Sequence, residues 1–262
     1  MSTPDLAESA QLALATLHQE PVRGIPTWML HIMEHAQIER LAGTAPGSYR
    51  RDPHGVYLAM QRAVGTCLLD QYLAENPLSL GDHGYEGATR GATTGADHVV
   101  LDGLVIDSPE RAVEHLERFV FPSLRQAIAG FDEDRRTAEI LAHERALQDR
   151  LAPEMLKTGH GFVGFPCLRY GAYGYANYFM AYALYPEVME RDFALQADLA
   201  LLNNRAAARA YREGHLPPLY RLDHDMADSR GTLCSIDSLD RLWLPHFARC
   251  LEPLVRQDVG LI

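Results

Sequence analysis

The sequence predicts an α/β fold of parallel βα units, in the order of a (β/α)8 barrel. Two observations carry that expectation. Short apolar, strand-like runs alternate with longer helical periodicities along the 262 residues, the pattern of helical crossovers between parallel strands. The richest of these runs, Leu219-Tyr-Arg-Leu222, passes straight into Asp223, His224, Asp225 and Asp228. Parallel α/β folds bind ligands at the carboxyl ends of their strands. An apolar run that ends in three carboxylates and an imidazole therefore reads as a strand tip with chemistry on it.

The elements follow in order. Residues 4–17 read as a short amphipathic helix, ended by Pro21 to Gly24. Ile25-Pro-Thr-Trp-Met-Leu30 reads as the first strand, with His31 at its exit. Ile32 to Leu41 and Pro53 to Val64 are helical by spacing, the second with Val56, Met60 and Val64 on one face. Thr66-Cys-Leu-Leu69 is a second strand ending at Asp70. Tyr72 to Ala96, rich in Gly, Pro, Asn and Asp, is a long excursion of the kind that is usually functional. His98 to Ile106 reads as a hairpin turning at Asp102-Gly103. Ser108-Pro109-Glu110 starts a helix, serine as cap and proline in the first position. A very polar helix covers Asp132 to Ala152. Gly161-Phe-Val-Gly-Phe-Pro166 is the third strand, leading into a tyrosine-rich stretch. Pro186 to Glu213 is a long helix or helix pair, Leu219 to Leu222 the fourth strand, and Ser238 to Gln257 helical. Val259-Gly-Leu-Ile262 reads as the beginning of a fifth strand. An apolar strand as the last element would leave an unpaired edge. The expectation is a barrel truncated after about five strands, one incomplete domain over residues 1–262; a compact open α/β sheet is the alternative.

Composition narrows the classes. Hydrophobic residues make up 47% of the chain, enough for a sizeable core. A net charge of −11 argues against sequence-independent binding to nucleic acid or to an anionic membrane. Cys67, Cys167, Cys234 and Cys250 form no C-x-x-C pair and no zinc spacing, so reduced thiols in a cytoplasmic protein are expected. No signal peptide and no bilayer-length apolar run is present. Lys157 is the only lysine, which reads as codon bias.

Four segments together carry a resemblance. Arg23-Gly-Ile-Pro-Thr-Trp-Met-Leu30 resembles the first strand of uroporphyrinogen decarboxylase-like proteins. Cys67-Leu-Leu-Asp-Gln71 with Leu78-Ser-Leu-Gly81 is similar to that superfamily's second strand, its aspartate and the turn beyond. Phe162-Val-Gly-Phe-Pro166 resembles its third strand, and Ser235-Ile-Asp-Ser-Leu-Asp240 with Trp243-Leu-Pro-His-Phe247 its helix after the fourth. The resemblance covers about Ala13 to Ile262 and implies a (β/α)8 barrel that continues beyond a fifth strand. The superfamily holds the decarboxylase, a lyase of porphyrin biosynthesis without a cofactor. It also holds corrinoid-dependent methyltransferases such as methylcobalamin:coenzyme M methyltransferase, which use a zinc-bound thiol. The decarboxylase's arginine-rich motif after the first strand is replaced here by His31, Glu34 and His35. Bidentate arginines are the natural hold for a substrate with eight carboxylates, so their absence favours the methyltransferase-like branch. That branch's His-x-Cys zinc ligands would lie past Ile262, so no cofactor is demonstrable in this chain. The corrinoid would be substrate or would be bound to a partner protein. A decarboxylase-type lyase and an inactive fragment are the other readings.

The candidate catalytic residues are Asp70, Asp223 and Asp225. Asp70 matches the family's essential aspartate, whose role there is to stabilise a cationic intermediate; a carboxylate capping the next turn is the bland reading. Asp223 and Asp225 alternate onto one face of an extended chain and suit acid–base work; a rim salt-bridge network with Arg221 and Arg230 is the alternative. Candidate substrate contacts are His31, Arg169, Tyr173, Tyr175, Arg221 and Asp228. Tyr173 and Tyr175 are the nearest matches to a substrate-contacting tyrosine that the resemblance implies, against plain aromatic packing. His224 faces away from the two aspartates and reads as packed, and Cys167 as a buried thiol. Gly159-His-Gly-Phe-Val-Gly164 fits the dinucleotide pattern by letters but leads to Pro166 and no helix, so that reading is rejected.

Overall fold

Parallel strand contacts succeed one another in chain order. In the computed structural model, which describes residues 6–75 and 99–261, Trp28 bridges Leu68 in parallel. Strand β1 (Leu68–Leu69) pairs in parallel with a later strand, Leu156–Lys157. The same chain segment reaches Phe162, which bridges Arg221 in parallel. Leu219–Tyr220 pairs in parallel with Gly260–Leu261. The order across these contacts is therefore 28, 68–69, 156–163, 219–221 and 260–261. The fold is α/β, and the described residues close no barrel.

Helices cross between these segments, as parallel pairing requires. After α1 (Glu8–Leu17), helices α2 (His35–Ala42), α3 (Ser48–Arg51) and α4 (Pro53–Ala63) join Trp28 to β1. The second connection starts with the hairpin β2 (Val99–Leu101) and β3 (Leu104–Ile106), turning at Asp102-Gly103. Both turn residues have positive φ, 49° and 77°, the geometry that matches strand twist in two-residue turns. Helix α5 (Pro109–His115) follows, capped by Ser108 Oγ on Arg111 N. A single π turn carries it into α6 (Phe121–Ala129), and α7 (Glu133–Leu151) leads to β4 (Leu156–Lys157). The third connection is α8 (Tyr170–Tyr173), α9 (Tyr175–Leu184) and one unbroken helix α10 (Pro186–Gly214), ending at β5 (Leu219–Tyr220). The fourth holds the hairpin β6 (Ala227–Asp228) and β7 (Gly231–Thr232), then α11 (Ile236–Leu242) and α12 (Leu244–Val255) before β8 (Gly260–Leu261).

Three expectations shift. The third strand pairs from Leu156, five residues before the predicted start, and 161–166 contributes the Phe162 bridge and the Val163 N to Arg221 O bond. Gly159 and Gly161, at φ 71° and 60°, break the extended run between the two. The first strand is reduced to the Trp28 bridge, beside an Ile25 that is 91% exposed. The β6–β7 hairpin was not foreseen. Most of the Tyr72 to Ala96 excursion lies outside the described residues.

Helix α10 anchors the third segment. Ala200 and Gly164 meet so closely that a Cβ on the glycine would lie 3.3 Å from Ala200 Cα. Asn204, fully buried, spans the contact: its amide nitrogen donates to Gly164 O at 2.8 Å and Cys250 O at 2.7 Å, and Oδ1 accepts from Gly164 N at 3.1 Å.

Candidate functional site

The carboxyl ends of the parallel segments meet at Asp70. It follows β1 directly and is 1% exposed. Oδ1 accepts from Trp28 Nε1 at 2.7 Å and Oδ2 from Arg221 Nη1 at 3.0 Å. Arg221 in turn donates from Nε to Asp223 Oδ2 at 2.8 Å, with Nη2 2.6 Å from the same oxygen. Its guanidinium carbon lies 5.3 Å from the centre of the Phe162 ring. Burial alone would lower the Arg221 pKa, but the bonds to Asp70 and Asp223 outweigh it and the net shift is upward. Four successive segments thus contribute Trp28, Asp70, Phe162, and Arg221 with Asp223. A buried charge is tolerated only when paired and hydrogen-bonded, and both Asp70 oxygens are so engaged.

Beneath this cluster lies a second one, which the sequence reading missed. Lys157, at the end of β4, is buried and its Nζ donates to Asp70 O (3.1 Å), Thr158 O (2.9 Å) and Gly159 O (2.6 Å). It pairs with Glu144 Oε2 of α7 at 2.9 Å. Glu144 Oε1 lies 2.7 Å from His160 Nδ1 and 3.9 Å from His143 Nε2. Burial would raise the Glu144 pKa, but His160 and Lys157 hold it below its ordinary value. Burial lowers the Lys157 pKa against the opposing pull of Glu144. The ligand-type atoms of His143, Glu144 and His160 lie within 4.8 Å of one another. The carboxylate is already committed to the Lys157 ammonium, so the group is read as an ion network. The one available signal was Lys157 itself, a single lysine in a chain rich in arginine.

The other predicted residues go elsewhere. Asp225 Oδ1 accepts from Ala227 N at 3.2 Å, and its carbonyl accepts from Tyr170 Oη at 2.8 Å. The chain has left the extended state there, so Asp225 opens the β6–β7 hairpin. Asp228 is exposed, accepts from Arg230 N at 2.7 Å and pairs with its guanidinium at 2.8 Å, which lowers its pKa. His31 is exposed just beyond the Trp28 segment. Tyr173 is buried, its hydroxyl 2.9 Å from His115 Nδ1, and His115 Nε2 is 2.8 Å from Asp102 Oδ2. Burial pushes the Tyr173 pKa up. Tyr175 is exposed and lies against Tyr170 with the rings tilted by 34° and their centroids 4.8 Å apart. His224 Nε2 accepts from Leu168 N at 3.0 Å, and burial lowers its pKa. The Cys167 thiol is likewise pushed up by burial. Arg169 donates from Nε to fully buried Asp192 at 2.8 Å and lines a cavity of about 290 Å³ with Arg136, Phe162 and Phe165. The glycines of 159–164 serve the third segment's bend and its contact with α10.

Among the described residues no helix is long and apolar enough to cross a membrane. Compared with family models, with curated proteins and with solved structures, the chain has no significant match.

Proposed function

We propose that the chain is an enzyme of the uroporphyrinogen decarboxylase type, of the corrinoid-linked methyltransferase-like branch, moving a methyl group from a small methylated compound. The barrel expectation is supported by parallel contacts that follow chain order with helical crossovers. One observation carries the choice of branch: the Asp70–Arg221–Asp223 cluster is saturated by its own members. Two carboxylates and one guanidinium leave a net negative tip, and its arginine, Arg221, is already engaged by Asp70 and Asp223. The same saturation weakens the decarboxylase reading, because both Asp70 oxygens already accept a hydrogen bond and neither is left open to an intermediate. A neutral or cationic methyl donor meets no such conflict.

In this reading Trp28 and Phe162, 42% and 52% exposed, form the apolar floor of the site. Asp70 fixes the orientation of both the indole and the Arg221 guanidinium. A corrinoid, as free substrate or on a partner protein, supplies the methyl-carrying chemistry. No His-x-Cys pair occurs anywhere in the chain, so none of its residues fits the zinc-ligand pattern and no step is assigned to a metal. The test is spectroscopic. Cob(I)alamin incubated in buffer with the protein and a panel of methyl ethers and methylamines is expected to convert to methylcob(III)alamin, the cobalt supplying the electron pair for the new Co–C bond as the C–O or C–N bond breaks and the alcohol or amine leaves with a proton from solvent. Asp70→Asn is expected to abolish the conversion. Turnover of uroporphyrinogen to coproporphyrinogen would refute the choice of branch.

A further inference from the structure

We infer that the cavity beside the third segment is a binding pocket for a small monocarboxylate with an apolar, ring-sized body, the carboxylate being met by Arg169 and Arg136. The walls include Leu124, Ile140, Phe162 and Phe165, and Arg136 and Arg169 line the same space of about 290 Å³. That volume is at the small end of ligand pockets, and apolar walls with a few polar groups are their usual lining. In a chain of net charge −11, an anion needs cations built in locally.

The two arginines are differently prepared. Arg169 spends Nε on Asp192, a bond that fixes the plane of the guanidinium and does not use Nη1 or Nη2. Arg136 is loosely held, in an i,i+3 ion pair of 3.4 Å with Glu139 Oε2 and 3.5 Å from His160 Nε2, both longer than the usual hydrogen bond. Planar forks of this kind hold carboxylates bidentately. Inorganic phosphate offers similar oxygens but nothing for the phenylalanines to cover. Phe162 links the pocket to the strand tips, since its ring also lies under Arg221. A ligand anchored by its carboxylate would therefore have its other end near the Asp70 cluster. One carboxylate in this pocket does not conflict with a tip that disfavours eight.

The assignment of this molecule as the methyl donor rests on the function proposed above; its binding does not. The test is calorimetric titration of the full chain with 4-methoxybenzoate, its methyl ester and inorganic phosphate. The acid is expected to bind saturably, and the ester at least about tenfold more weakly, the loss of one charge-assisted contact. Arg136→Gln and Arg169→Gln should each weaken the acid by about tenfold or more. Arg169→Gln strands Asp192, so Leu124→Trp, which fills the cavity, is a second variant and should abolish binding. Equal binding of acid and ester, phosphate binding tighter than the acid, or full affinity in Arg136→Gln and Leu124→Trp would overturn the inference. Binding of the acid without methyl transfer to cob(I)alamin would count against the proposed function alone. Transfer from an uncharged donor with no binding of the acid would count against this inference alone.

Discussion

Removing either half of the Lys157–Glu144 pair exposes how the strand tips are held. The two side chains are 3% and 5% exposed and 2.9 Å apart. Breaking a buried pair by deleting one partner costs about 3–5 kcal/mol, because the other charge stays buried. Glu144→Leu leaves the ammonium on three carbonyls; Lys157→Met leaves the carboxylate on His160 and strips those carbonyls of their donor. Each single change is expected to cost about 4 kcal/mol. Independent effects would sum to about 8 kcal/mol, but the double variant buries no unpaired charge and should cost less than either single change, about 3 kcal/mol or below, a coupling of at least about 5 kcal/mol. Equilibrium urea unfolding of the four proteins measures this through the midpoint at constant slope. Additive losses, or single losses below about 1 kcal/mol, would refute the buried ion pair. The pH dependence has a defined sign. Glu144 is held below its ordinary value of 4.5 in the folded chain, so its contribution is present above that value and lost as pH falls through the lowered one. Glu144→Leu should therefore flatten the acid limb of the stability profile.

Three further changes test the frame. Gly159→Ala places a Cβ at φ 71°, 3.5 Å from Leu219 O, and should cost about 1–2 kcal/mol, a melting drop of about 2–8 °C; an unchanged melting point would mean the bend is not held. Asn204→Ala removes three buried hydrogen bonds between the third segment, α10 and α12. Urea unfolding should show a loss of about 2–4 kcal/mol, and a neutral result would sink the anchoring role. Trp28→Phe takes the indole donor from buried Asp70 and should cost about 1–3 kcal/mol in the same assay, with methyl transfer falling as well.

The helices and the hairpin were legible because their signals are local. Ser108 and Pro109 cap and start α5, and Asp102-Gly103 turns the β2–β3 hairpin, each from chemistry within a few residues. The third strand was misplaced because its two halves obey different partners. Leu156–Lys157 answers to β1 and Phe162 to Arg221. Periodicity reads side chains, while the break comes from positive backbone φ angles at Gly159 and Gly161, which side-chain pattern does not report. The β6–β7 hairpin was hidden for a related reason: Asp225 and Asp228 look like strand-tip acids but hydrogen-bond to backbone two residues on, as short acidic side chains do in turns.

The site divides along the same line. Asp70, Asp223 and Arg221 were readable because each ends or follows a short apolar run that reads as a strand, and parallel pairing then brings those ends together. Trp28, Phe162, Glu144 and His160 were not, because each joins through a partner at least thirteen residues away, and an exposed aromatic or a helical glutamate carries no mark of that. Lys157 is the instructive case. Arginine is always charged and multidentate, whereas an ammonium is a compact donor that fits a cup of carbonyls. The three carbonyls around Nζ and the single carboxylate beyond them form such a cup. A chain that uses arginine at every other basic position keeps lysine at the one place where the geometry asks for a point charge. Composition alone, read by where its exception falls, would have directed attention to the floor beneath Asp70.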